Sequence, residues 1–171
     1  MEINIRPAED TDAAELLILM QKLIEESDTF TVEQDLAGIT PEQQAGNIEL
    51  LNSTTNNILL LAADDENQLY GLLSAAAVAG EPRTVEIGMA VLKEVQGFGI
   101  AQALLAELMD WAIDFSSVEK LFLTVQSHNQ VAIHIYEKMG FVKLPNSERQ
   151  LMNQNNVAVA AFDMVKRLVK G

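Results

Sequence analysis

The chain has no cysteine among its 171 residues, which excludes disulfides, thiolate zinc sites and a cysteine nucleophile. Basic residues are scarce. Eleven Lys plus Arg stand against 25 Asp plus Glu, a formal net charge of −14, and the acidic side chains are scattered rather than gathered into a tail. A surface of that sign repels nucleic-acid phosphates and anionic lipid, so neither nucleic acid nor membrane is expected as a partner. Histidine occurs only at His128 and His134, not one helical turn apart, which supports neither a metal pair nor a Ser-His arrangement; no metal is expected. Long apolar runs are also missing. The longest, Ile58 to Ala63 and Leu72 to Ala79, are strand-sized, and no basic segment followed by an apolar one opens the chain. These absences predict a soluble, unprocessed, cytoplasmic protein. The 49% hydrophobic content suits one well-buried core, so residues 1–171 are expected to form a single domain.

The periodicities lay out that domain. Ile3 to Arg6 reads as a short strand stopping at Pro7, and Asp10 or Thr11 can cap a helix carrying Ala13, Leu16, Leu17, Met20, Leu23 and Ile24 on one face. Residues 27–38 read as loop; Thr40-Pro41 supplies an N-cap and first-turn proline for a helix to about Leu51. Asn57 to Ala63, Gln68 to Val78 and Thr84 to Val95 are strand-length apolar runs separated by turn-rich segments, an antiparallel meander. Lys120 to Gln126 reads as the next strand, able to lie parallel to the last of these through a helical crossover. A helix from Asn129 to Met139 ends on Gly140, Phe141 to Leu144 starts another strand, Asn146 to Asn156 is polar loop, and Val157 to Val165 a final strand. The pattern is that of a mixed-sheet α/β domain.

Val91 to Leu105, VLKEVQGFGIAQALL, organises the rest. An apolar, β-branched run passes through Gln96, Gly97, Phe98 and Gly99 into a helix whose apolar positions recur at Ile100, Leu104, Leu108, Trp111, Ala112 and Phe115. Two glycines and Ala101 leave little bulk over the first helical turn, so backbone N–H groups can converge on an anion with the helix dipole behind them. A phosphate is the natural candidate. A dinucleotide fingerprint fails because Gln102 stands where a third Gly or Ala is needed, and no Gly-Lys-Ser/Thr exists for a P-loop.

Gln96-x-x-Gly99-x-Ala101 resembles the Gln/Arg-x-x-Gly-x-Gly/Ala motif of the GNAT superfamily of acyl-CoA-dependent N-acetyltransferases. A second block, Leu123 to Phe141, is similar to that family's later strand-helix unit, with Asn129, Ala132, Tyr136 and Gly140-Phe141 in order and spacing, and Ile5 to Leu17 is also typical. The resemblance implies a central mixed, mostly antiparallel sheet of about seven strands flanked by about four helices. It also implies acetyl-CoA as co-substrate, with the amides of Gly97, Phe98, Gly99, Ile100, Ala101 and Gln102 on its pyrophosphate, and Gln96 in the motif but without the charge of the commoner Arg. Lys93 or Lys138 can assist. Met89, Ala90 and Val91 would meet the pantetheine arm, with plain sheet pairing as the alternative, and Asn129 would serve as helix cap, cofactor contact or both.

Acetyl transfer to an amine needs proton removal, since at neutral pH only about one molecule in a thousand of an amine with pKa ~10.4 is nucleophilic. Glu86, on the strand face opposite Val85, Ile87, Met89 and Val91, is a candidate base or equally a solvated carboxylate. Tyr136 resembles the family's general acid for the departing thiolate; its alternative role is a half-buried packing residue. The implied activity is direct transfer from acetyl-CoA to a primary amine of a small molecule, since no cysteine can carry the acetyl group. A non-catalytic acyl-CoA-binding module is the second reading, and protein N-terminal acetylation a third, against which stands Thr124 at the position of a base glutamate in the ribosomal-protein acetylating branch. The resemblance implies that residues 27–51 cover the acceptor, with Asp28, Phe30 and Glu33 as likely to be solvated or packed as to touch it. A homodimer is compatible with the sequence.

Overall fold

Polar turn residues with a left-handed backbone divide the apolar runs into strands. In the computed structural model, which describes residues 2–27, 29, 36–153 and 155–169, β1 (Asn4–Pro7), β2 (Ile58–Ala63), β3 (Leu69–Val78) and β4 (Glu81–Val91) pair antiparallel in sequence order. At the β2–β3 turn, Asp64 Oδ1 accepts the N–H groups of Glu66 and Gln68 at 2.9 Å each, and Asn67 takes φ +62°. β5 (Lys120–Gln126) lies parallel to β4, and β8 (Ala158–Arg167) pairs antiparallel with β5. β6 (Val142–Lys143) and β7 (Arg149–Met152) also pair with β8, giving an eight-stranded, mostly antiparallel sheet.

The helices are α1 (Ala13–Glu26), α2 (Pro41–Asn52), α3 (Ile100–Phe115) and α4 (Gln130–Lys138). The mixed α/β class, the meander, the parallel β4–β5 step and the number of helices agree with the sequence reading. α1 and α2 pack on each other and on β3 and β2, whereas α3 packs along β1 to β4. β2, buried almost throughout, lies between these layers. Leu16, Leu19 and Leu23 of α1, Leu60, Leu61 and Leu73 of the sheet, and Leu104, Leu105 and Leu108 of α3 supply much of the core.

Several boundaries differ from expectation, each for a local reason. The segment Asn146 to Asn156, read as loop, contains β7; its sequence RQLM buries no residue fully, so it lacks the alternation that marks a strand and depends on pairing with β8. The long strand begins at Glu81 and ends at Val91, because Lys93–Val95 closes as a 3-10 turn. Phe115, placed on the apolar stripe of α3, is its last residue and is 81% exposed. Neither Asp10 nor Thr11 caps α1. A 3-10 turn over Asp10–Asp12 precedes that helix, and the Asp12 carboxylate is committed to Arg6 through two bonds of 2.7 and 2.8 Å and to the Glu9 N–H at 2.8 Å. α2 begins as expected: Thr40 Oγ1 accepts the Gln43 N–H at 3.1 Å and Gln43 Oε1 accepts the Thr40 N–H at 3.0 Å.

The fork between Arg6 and Asp12 ties β1 to the start of α1. The Arg6 side-chain hydrogen bonds hold the Asp12 carboxyl below the usual carboxylate range, so the pair contributes stability above the unfolded-state pKa that is lost as pH falls through the lower folded-state value. Asp12→Asn is expected to cost about 1–3 kcal/mol at pH 7. The loss should shrink as pH falls to 3 and below, measured by urea unfolding at both pH values.

Candidate active site

The site begins where sheet pairing ends. β4 and β5 are in register at Thr84 with Lys120, Val85 with Leu121 and Glu86 with Phe122, and no further. Beyond that point β4 stays with β3 as far as Val91, and β5 stays with β8 as far as Gln126, so the two hairpins diverge. The Leu92 N–H donates to the Tyr70 carbonyl at 2.9 Å, which by strand alternation turns the backbone groups of Met89 and Val91 toward the gap and those of Ala90 toward β3. From the other side, the Ser127 N–H bonds to the Ala160 carbonyl at 2.8 Å, which turns the backbone of Thr124 and Gln126 toward the gap. A cleft of about 1210 Å³ passes through this opening, lined among others by Met89, Ala90, Val91, Gly99, Asn129 and Tyr136.

At one end of the cleft stands the glycine loop. Gly97 and Gly99 adopt φ +91° and +79°, and a Cβ at either would meet no atom within 4 Å; the left-handed backbone, not crowding, requires glycine. The Ala103 N–H donates to the Gly99 carbonyl at 3.0 Å, so the N–H groups of Ile100, Ala101 and Gln102 have no intrahelical acceptor. Phe98 is 74% exposed and does not line the cleft. The Gln96 side chain braces the loop by donating to the Val91 carbonyl at 3.2 Å. A second brace was invisible in the sequence: Glu26, at the end of α1, accepts the Lys93 N–H at 2.7 Å.

α4 fixes the buried phenol. Its N-cap is Asn129, whose Oδ1 accepts the Ala132 N–H at 3.3 Å. At its other end Gly140 takes φ +96°, its N–H bonds to the Glu137 carbonyl at 3.0 Å, and the Phe141 N–H bonds to the Tyr136 carbonyl at 2.9 Å. This pair of bonds is a Schellman motif, and its usual apolar contact is made by the Tyr136 and Phe141 rings, with centroids 5.6 Å apart and planes at 61°. The spacing Tyr136, Gly140, Phe141 therefore encodes one helix terminus that clamps the tyrosine. Tyr136 is only 7% exposed, and among the described residues its hydroxyl has no hydrogen-bond partner. Burial pushes its pKa up to about 12.

Glu86 is exposed and stands at the last paired position, on the same face of β4 as Gly88, which lines the cleft; Glu86 itself does not. The parallel register puts Thr124 and Gln126 of β5 on that face too. Behind Thr124 lies a network that sequence reasoning missed. Thr124 Oγ1 donates to Asp163 Oδ1 at 2.7 Å, while Arg149 reaches Asp163 at 3.0 Å and Thr124 Oγ1 at 3.3 Å. Arg149 belongs to the strand read as loop, which hid the pairing. Lys93 and His128 line the cleft, whereas Lys138 and His134 are exposed away from it. Asp28, Phe30 and Glu33 lie outside the described residues. No helix among the described residues is long and apolar enough to cross a membrane.

Residues 19–141 match the model of the Acetyltransferase (GNAT) family. A spermidine N(1)-acetyltransferase of Vibrio cholerae is 30% identical over 80 residues, 47% of this chain and 46% of that relative. One of Escherichia coli is 32% identical over 89 residues, 52% of this chain and 46% of that relative, so the matches span about half of each relative's length. Among solved structures, an acetyltransferase of the GNAT family from Streptococcus pneumoniae superposes with a TM-score of 0.88 at 27% identity, covering 98% of this chain and 100% of the other. A phosphinothricin acetyltransferase from Sinorhizobium meliloti in complex with acetyl-CoA shares the fold, with a TM-score of 0.81 at 16% identity over 100% of this chain and 91% of its own.

The buried phenol has a measurable signature. Because its folded-state pKa is raised above the ordinary value of 10, the stability it contributes is present below pH 10 and is lost as pH rises through about 12. Two pKa units correspond to about 2.7 kcal/mol. Urea unfolding from pH 9 to 12 should show the wild type losing stability more steeply than Tyr136→Phe by roughly that amount.

Proposed function

Because the chain belongs to the acetyltransferase (GNAT) family, we propose that it is an enzyme transferring the acetyl group of acetyl-CoA to the primary amine of a small molecule, and that residues 1–171 act as one such domain. The observation that carries this reading is the continuity of one cleft from the free amides at the start of α3, through the β4–β5 gap, to the side chain of Tyr136. A small-molecule acceptor is supported by the two matched relatives, which are named for spermidine, and by Thr124 where the ribosomal-protein acetylating branch has its glutamate.

The residues present fit the cofactor. Unpaired amides at Ile100, Ala101 and Gln102, with open space over Gly97 and Gly99, suit a pyrophosphate, and the outward backbone groups of Met89 with the Val91 N–H suit an extended amide-bearing arm. Bound acetyl-CoA would supply an acetyl thioester already activated toward attack. In this reading Glu86, outside the cleft lining at the last position where β4 pairs with β5, takes the ammonium proton directly or through water, leaving the nitrogen nucleophilic. Tyr136, which lines the same cleft, would stand near the sulfur of the thioester. A phenol held near 12 remains protonated at neutral pH, and passing its proton outright to a thiolate of pKa ~8.5 is uphill by about 5 kcal/mol; its role is a hydrogen bond that strengthens as charge builds on sulfur.

Thiol release from acetyl-CoA over a panel of small amines tests the activity. Once an acceptor is found, Tyr136→Phe should lower kcat by ~100-fold with acetyl-CoA affinity little changed. Near-normal kcat would reassign Tyr136 to packing. Glu86→Gln should depress turnover most at low pH, where the amine most needs a proton acceptor, and a wild-type pH profile would leave Glu86 a solvated carboxylate.

A further inference from the structure

Gln126 Oε1, buried at the end of β5, has no hydrogen-bond partner among the described residues, and Gln126 lines the cleft. A folded protein rarely leaves such an acceptor orphaned unless a ligand or water completes it. Two residues earlier, on the same face of the strand, Thr124 also lines the cleft. Its hydroxyl proton is committed to Asp163 at 2.7 Å and one oxygen lone pair to Arg149 at 3.3 Å, so what it has left to offer is an acceptor lone pair. Arg149 is ion-paired with Asp163 at 3.0 Å, so its charge is already matched.

We propose that Thr124 Oγ1 and Gln126 Oε1 form an acceptor subsite selecting a small molecule that brings two hydrogen-bond donors, the reacting amine and a second N–H or O–H group. This rests on the acetyltransferase reading above. Positions i and i+2 of a strand have Cα atoms about 6.8 Å apart, and the longer glutamine side chain adds reach to that spacing, so the two donors belong on one short carbon chain, of which four carbons is a length to test. Both subsite atoms accept, so a carboxylate in place of the second donor is repelled. Gln126 is thus a specificity-determining residue rather than part of the proton chemistry, and Asp163 is a positioning residue that fixes which way the Thr124 hydroxyl points.

The test compares four acceptors of equal length at saturating acetyl-CoA: butylamine, 1,4-diaminobutane, 4-amino-1-butanol and 4-aminobutanoate. Wild type should show a KM about tenfold lower for the diamine and the amino alcohol than for butylamine, with the carboxylate poorest. Gln126→Leu should erase that preference while leaving the KM for acetyl-CoA within about twofold. It should also raise Tm by about 2–4 °C, because it removes a buried unsatisfied atom, a change opposite in sign to that of losing a structural contact. Gln126→Met, closer in length, repeats the measurement if leucine disturbs packing. Unaltered selectivity in both variants overturns the proposal, as does a loss confined to acetyl-CoA binding, which would assign Gln126 to the cofactor arm. Calorimetry on the coenzyme A complex separates this inference from the enzymatic one: diamine binding in preference to butylamine without any thiol release sustains the subsite and defeats transfer. Equal or absent binding of the two amines defeats the subsite.

Discussion

The divergence of β4 and β5 after Glu86 and Phe122 is the constraint on which the site depends. A fully paired sheet satisfies its own backbone groups and has nothing left to offer a ligand. Here each strand keeps one good partner, β3 for β4 and β8 for β5, so the gap is held open by two hairpins that are themselves complete. Groups at Met89 and Val91 on one side and Thr124 and Gln126 on the other are left without strand partners at this seam. The unpaired seam is a cost to the fold that a bound amide-bearing chain, or water, can offset.

Electrostatics in this molecule works locally against a hostile background. A chain of net charge −14 does not attract a polyanion at long range, and Gln96 adds no charge to its loop. In the proposed reading the attraction comes from oriented N–H groups within one turn of α3, which act at a few ångströms where the global field matters less. That places demands on geometry. The left-handed backbone at Gly97 and Gly99, the 3-10 turn before them, the Gln96 brace to Val91 and the Glu26 brace to Lys93 all hold the loop in the shape that aims those groups.

Features built within a dozen residues could be read from the chain. The capping box of α2, the glycine junction before α3 and the Asn129 to Gly140 helix each declare themselves by residue type and spacing, because their bonds are local. The structure adds a reason for one of these patterns, since Tyr136, Gly140 and Phe141 form a single helix terminus. What could not be read depends on distant partners. β7 has no alternating pattern and exists through β8; Asp163, Thr124 and Arg149 meet only once that pairing is made; Glu26 and Lys93 are brought together by the packing of α1 beside the loop. Glu86 is intermediate: its face was legible, but its position at the vertex of the gap follows from a register that no single strand records.

We propose that the unpaired seam and the first turn of α3 together hold coenzyme A. Residue-resolved amide hydrogen exchange, with and without coenzyme A, addresses it without requiring an acceptor. Slower exchange is expected at Met89 and Val91 and across Gly97 to Gln102 when coenzyme A is present, with little change at the paired amides of β2. Unchanged exchange at both the seam and the α3 turn under saturating coenzyme A, or protection confined to some other surface, would contradict it.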